Sequence, residues 1–225
     1  MSNMTLLPRS SVAKKFLNAI TGVGLGIFVI VHLLENLLLL TGNPDDFNRW
    51  AHFLESFGLL LRLIELGLAA FFLVHIWSAL MVYWDKLKAR PSGYSVYRSA
   101  GWTSRQTLSS QTMIYTGIIL LAFVIWHVMT FRFGPYYTVT VDGVEMRDLH
   151  RLVVEVFSNP LNVALYVAVM VLLGLHLRHG FWSALQSLGA YHPRWTPLWY
   201  TGGAIVAALL AVGFIVIPVW VYLYL

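Results

Sequence analysis

Residues 16–40 read FLNAITGVGLGIFVIVHLLENLLLL, in which His32 and Glu35 are the only ionisable side chains. An apolar run of about 20 residues is long enough to cross the hydrocarbon core of a bilayer as a helix. A histidine at that depth is costly without a partner and therefore reads as functional. Stretches 59–83, 108–132 and 161–186 have the same character, and each also carries a histidine in its last third: His75, His127 and His176. A fifth stretch, 198–224, carries neither histidine nor charge.

The composition agrees with spans. Of the 225 residues, 58% are hydrophobic and 11% charged, with a mean hydropathy of +0.70; an ordinary soluble domain is about 25% charged. Backbone polar groups in lipid must be satisfied within the segment, and these runs lack the alternation of a barrel strand, so helices are expected. The predicted fold class is an all-α integral membrane protein, a single membrane domain over 1–225. It has five transmembrane helices, the first four forming an antiparallel haem-binding bundle and the fifth packing outside the cofactor pair. The first span is read as retained rather than as a removable signal peptide, being too long for one and without a clear cleavage site.

Basic residues set the expected orientation. Arg9, Lys14, Lys15, Lys86, Lys88, Arg90, Arg98, Arg105, Arg178 and Arg194 fall on one side, ten of the fifteen and every lysine. Arg49, Arg62, Arg132, Arg147 and Arg151 fall on the other, among Asp45, Asp46, Glu55, Asp142, Glu145, Asp148 and Glu155. The positive-inside rule then predicts a cytoplasmic N-terminus and an external C-terminus. The net charge of +5 is read as topology and lipid contact, with no nucleic-acid partner. The chain has no cysteine, which excludes disulfides, iron–sulfur ligation and thioether attachment of haem.

Successive spans run in opposite directions, so the shared position along each helix places His32 and His127 near the outer face and His75 and His176 near the inner one. At about 1.5 Å per residue the two pairs would lie roughly 12 Å apart along the membrane normal. Two bis-histidine b haems fit that arrangement, and bis-imidazole ligation leaves no open position for oxygen chemistry. Zinc is disfavoured, because there is no close-spaced His or Cys cluster. Interhelical hydrogen bonds are the plainer reading of any single histidine. A transporter or proton channel with a polar core remains an alternative, although only Pro218 interrupts a span deeply.

An internal echo, Phe28-Val29-Ile30-Val31-His32 against Phe123-Val124-Ile125-Trp126-His127, supports a two-plus-two plan. Trp77-Ser78-Ala79-Leu80 against Trp182-Ser183-Ala184-Leu185 marks similar helix ends. Gly22, Gly24, Gly26, Gly117 and Gly174 admit two readings, close approach of a porphyrin or small-residue helix packing. Arg178 and His179 are either propionate partners or a solvated helix end, and His52, His150 and His192 lie in connections. Thr138–Val141 followed by Asp142-Gly143 predicts a hairpin, with surface helices over 146–157 and 45–57. Glu35, and Glu65 with Arg62, are candidates for a proton path, against plain interfacial ion pairing.

With these residues in view, the chain resembles the dihaem cytochrome b membrane-anchor subunit of succinate:quinone oxidoreductases, the succinate dehydrogenase and fumarate reductase family. The resemblance rests on one histidine in each of four spans and on Ile30-Val31-His32-Leu33, Val74-His75-Ile76, Ile125-Trp126-His127-Val128 and His176-x-x-x-Gly180-x-Trp182. It implies two haem b, held by His75/His176 on the inner side and His32/His127 on the outer, and quinone, commonly menaquinone, as substrate. The implied partners are a flavoprotein and an iron–sulfur subunit docked on the cytoplasmic face, with no succinate-oxidising site on this chain. The resemblance also suggests Glu65 near the outer haem, or an inner quinone site lined by Ser78, Trp182 or Gln106. A dihaem cytochrome b serving a hydrogenase, a formate dehydrogenase or an ascorbate reductase is the alternative within the same class.

Overall fold

The computed structural model describes residues 10–89 and 107–225. α1 (Ser11–Asn36) starts where the Ser10 side chain accepts from the Ala13 amide, an N-cap that satisfies one of the free first-turn donors. It runs on through a 3-10 turn, Leu37–Thr41. Asn43 caps and Pro44 opens α2 (Pro44–Glu55), with Asp45 and Asp46 in its first turn, where acidic side chains complement the helix dipole. α3 (Leu59–Ala89) carries Lys86 and Lys88 in its last turn. α4 (Leu108–Gln111) is a single turn closed by Thr107 and Ser110, and α5 is Met113–Phe131. β1 (Thr138–Val141) and β2 (Val144–Arg147) follow, then α6 (Leu149–Phe157), α7 (Pro160–Ser187) and α8 (Thr196–Tyr224).

Ser11–Thr41, α3, α5, α7 and α8 are long and apolar enough to cross a membrane, matching the five spans expected. The third is shorter than the sequence suggested. The Thr107–Ser110 capping turn makes residues 108–111 a separate element, leaving α5 with 19 residues, about 28 Å at helical rise.

The four histidine-bearing helices lie in the order α3, α1, α7, α5, each packing on the next. α8 packs on α7 and α1. Contact of α8 with the histidines was not expected, and small residues explain it. Gly174 faces Ala211 and Gly213 faces Leu33 at distances with no room for a further methyl, so the helices close together and Phe214 comes within 6.1 Å of the His32 ring. The fifth span therefore walls the histidine site rather than standing clear of it. Gly174→Ala should destabilise the α7–α8 contact by about 1–2 kcal/mol, as overpacking does. A lower melting temperature in detergent is the measurement.

At the end of the helices where α1 and α5 finish, α2, the hairpin and α6 form a cap. Asp142 and Gly143 both take positive φ, 52° and 80°, the geometry of a two-residue type I′ turn. It sets Val141 opposite Val144 and Thr138 opposite Arg147. Arg147 is buried and donates to the carbonyls of Phe131 (2.8 Å) and Pro135 (3.3 Å), tying the hairpin to the end of α5. The hydrophobic core lies here: Leu39 of the 3-10 turn and Phe47, Val153 and Phe157 of the cap meet Leu33, Tyr166, Ile217 and Val221 of the long helices. Away from this end the helices expose apolar side chains such as Ile27, Leu66, Leu73 and Leu209, the surface that lipid solvates.

Candidate functional site: two histidine pairs

His32 near the end of α1 and His127 near the end of α5 meet on the hairpin side. Their ring centroids are 5.9 Å apart with planes at 87°. Phe28 stacks on His32 at 5.4 Å and Phe123 on His127 at 5.7 Å; each phenylalanine lies one helical turn before its histidine, where side chains share a face. Phe131 and Phe214 complete an aromatic wall. Nδ1 of His127 lies 3.1 Å from the hydroxyl of buried Tyr166. Asn36 reaches His32 at 3.4 Å, and Glu35 lies 3.9 Å from its Nδ1.

His75 and His176 lie toward the opposite end. Nδ1 of His75 is 3.3 Å from the Thr21 hydroxyl of α1, and Nδ1 of His176 is 3.1 Å from the Thr116 hydroxyl of α5. Beside each threonine is a glycine facing the ring: a Cβ on Gly22 would lie 3.2 Å from His75 Cε1, and one on Gly117 3.5 Å from His176 Cε1. These two glycines belong to the histidine sites. Gly24, Gly26 and Gly174 instead face Phe71, Phe181 and Ala211, which is helix packing.

Eleven residues separate Thr21 from His32 and Thr116 from His127, about 16 Å of helix.

Sequence reading missed Thr21, Thr116 and Tyr166. The signal for the threonines was present. The echo extends back to give Thr21/Thr116, Gly22/Gly117 and Leu25/Leu120, so residues 21–32 and 116–127 agree at seven of twelve positions. The spatial repeat follows it, since each Thr-Gly meets a histidine of the neighbouring helix. Tyr166 left no such trace.

The other candidates are dispersed. Glu65 accepts from Arg62 at 3.2 Å and from Arg132 at 3.1 Å, so the carboxylate joins α3 to the end of α5. Ser78 is fully buried and donates to Asn18 Oδ1 and the His75 carbonyl. Trp182 packs edge-on against Tyr200 of α8, 5.9 Å away, so Ser78 is tied to α1 and Trp182 to α8. Gln106 lies outside the described residues, as do Arg9, Arg90, Arg98 and Arg105. Arg178 donates to Ser109 Oγ and the Tyr200 hydroxyl, so it is held in place rather than solvated. Among the described residues no three His, Cys, Asp or Glu side chains converge as a metal cluster.

A metal ion held between two imidazoles at about 2 Å from each nitrogen keeps the ring centres about 6 Å apart. The His32–His127 spacing has that width. Aromatic side chains there, and glycine-backed histidines at the other level, would suit a flat macrocycle held by those imidazoles.

The chain is similar to the succinate dehydrogenase cytochrome b558 subunit of Bacillus subtilis (strain 168), with 27% identity over 176 residues, 77% of this chain and 78% of that protein. No family model matches the sequence, and no solved structure gives a significant match.

Proposed function

We propose that the chain is the dihaem cytochrome b membrane anchor of a succinate:quinone oxidoreductase, carrying electrons between a succinate-oxidising module and quinone, with menaquinone as the expected type. The observation that carries the proposal is the convergence of His32 and His127 at ligating separation, in a chain similar to a subunit named succinate dehydrogenase cytochrome b558. His32 and His127 would hold one haem b, and His75 and His176 the second. Bound haem supplies reversible one-electron chemistry, and its potential is set by ligands and burial. The chain's residues would contribute the axial nitrogens, aromatic neighbours at the hairpin-side level, and orientation across the bilayer.

The N-terminal side, where the Lys14 ammonium pairs with Asp85 at 2.7 Å, is assigned to the cytoplasm on the strength of the basic bias. The iron–sulfur and flavoprotein subunits would dock on that face, nearest His75 and His176, and the hairpin cap would lie outside the cytoplasmic membrane. Succinate oxidation belongs to the partner subunits.

Pyridine haemochrome analysis of the purified chain should give two extractable protohaems per polypeptide. Isolation from its source membrane should bring down a flavoprotein and an iron–sulfur protein. A haem count near zero overturns the cofactor assignment. Two haems accompanied by a different redox module overturn only the succinate assignment.

A further inference from the structure

Resting on the dihaem reading, we infer that Thr21 and Thr116 are positioning residues that lock His75 and His176 in the tautomer whose Nε2 is free to bind iron. A neutral imidazole carries its proton on one nitrogen and a lone pair on the other, and the partner of the first decides which is which. A threonine hydroxyl has one proton to donate. The Thr21 hydroxyl oxygen lies 2.7 Å from the Leu17 carbonyl and 3.3 Å from that of Asn18, both in the preceding turn, so its proton has backbone acceptors in reach. The Thr116 hydroxyl is 3.1 Å from both the Thr112 and Met113 carbonyls. With its proton committed to the backbone, each oxygen can only accept from the facing Nδ1, at 3.3 Å for His75 and 3.1 Å for His176. Nδ1 must then carry the hydrogen, and Nε2 keeps its lone pair.

Both threonines are buried, at 5% and 3% exposure, so bulk water cannot take over the acceptor role. The glycine that follows each one leaves space for the ring beside the helix. The hairpin-side histidines lack this device. His127 faces a phenol that can donate or accept, and the polar groups beside His32 among the described residues are the Asn36 amide at 3.4 Å and the Glu35 carboxylate at 3.9 Å. The two levels therefore differ in how firmly their ligands are preset.

A hydrogen bond accepted from the remote N–H makes the ligating nitrogen more basic, which favours the oxidised metal and tightens binding. Removing it should raise the midpoint potential of one haem and weaken its retention. The test is a redox titration of the purified holoprotein with Thr21→Val and with Thr116→Val, alongside Thr21→Ser and Thr116→Ser. Each valine variant should shift one of the two haem transitions upward, giving a several-fold higher reduced-to-oxidised ratio at a fixed ambient potential. It should also lose that haem about tenfold more readily to apomyoglobin. The other transition stays in place and reports that the fold is intact. The serine variants should restore both properties. Pulsed EPR on the unaltered protein provides an independent measure, because the quadrupole coupling of the remote imidazole nitrogen should show it donating a hydrogen bond at one haem. Unshifted potentials in both valine variants, or a remote nitrogen without that signature, overturn the inference while the dihaem reading stands. An unaltered chain without haem overturns both.

Discussion

Replacing His176 with alanine is expected to leave one extractable protohaem per chain where the unaltered protein gives two. Loss of one axial nitrogen leaves His75 as a single ligand, in a chain with no cysteine to attach the macrocycle covalently. The Thr116 hydroxyl would lose its imidazole partner but keep its backbone carbonyls, so the helix itself should persist. His127→Ala should likewise remove one haem, from the other level. There the enclosing rings of Phe123, Phe131 and Tyr166 would border a void, so a stability loss of about 2–4 kcal/mol should accompany it. Optical spectra decide the assignment of pairs. His75→Ala and His176→Ala should remove the same component, and His32→Ala and His127→Ala the other. If His75 and His176 variants remove different components, the pairing is wrong even if the count of two is right.

The five apolar runs and the four histidines are legible in the sequence because a bilayer imposes one coarse rule, continuous hydrophobicity, which a polar residue visibly breaks. The hairpin was legible for a similar reason, since Asp142-Gly143 satisfies a turn that few dipeptides can. What composition hides is which helix faces which. α8 was expected outside the histidine group because its span carries neither histidine nor charge. Its approach depends on Gly174, Ala211 and Gly213, whose small size is apparent only when two helices are brought together. Ser78 and Trp182 were grouped as lining of an inner quinone site suggested by the resemblance, yet they face different helices. Thr21 and Thr116 were overlooked because a threonine inside a span ordinarily bonds back to its own helix. Both do so here, and that bond is what gives their remaining lone pairs a second use.

Asn48→Ala should loosen the cap over the hairpin-side histidines by about 2–3 kcal/mol, read as a lower first transition in thermal unfolding followed by tryptophan fluorescence. Asn48 is 1% exposed. Its amide donates to Asp148 Oδ1 at 2.9 Å, and its carbonyl oxygen accepts from the His150 amide at 2.9 Å, so one side chain joins α2 to the start of α6. The same Asp148 oxygen accepts from the Arg151 amide as the α6 N-cap. Alanine strands a partly buried donor and weakens the carboxylate that starts the helix, and each unpaired polar group costs about 1–3 kcal/mol. Asn48→Asp retains the acceptor for His150 but sets a second carboxylate against Asp148, so it should be at least as harmful. The cap should also be acid-sensitive. Burial holds the His150 imidazole below its ordinary value of 6.5, with Asp148 opposing the shift. As pH falls through that value the unfolded segment takes up the proton first, so stability is full above it and declines below. His150→Gln should flatten that decline. If the acid sensitivity survives the substitution, another group is responsible for it.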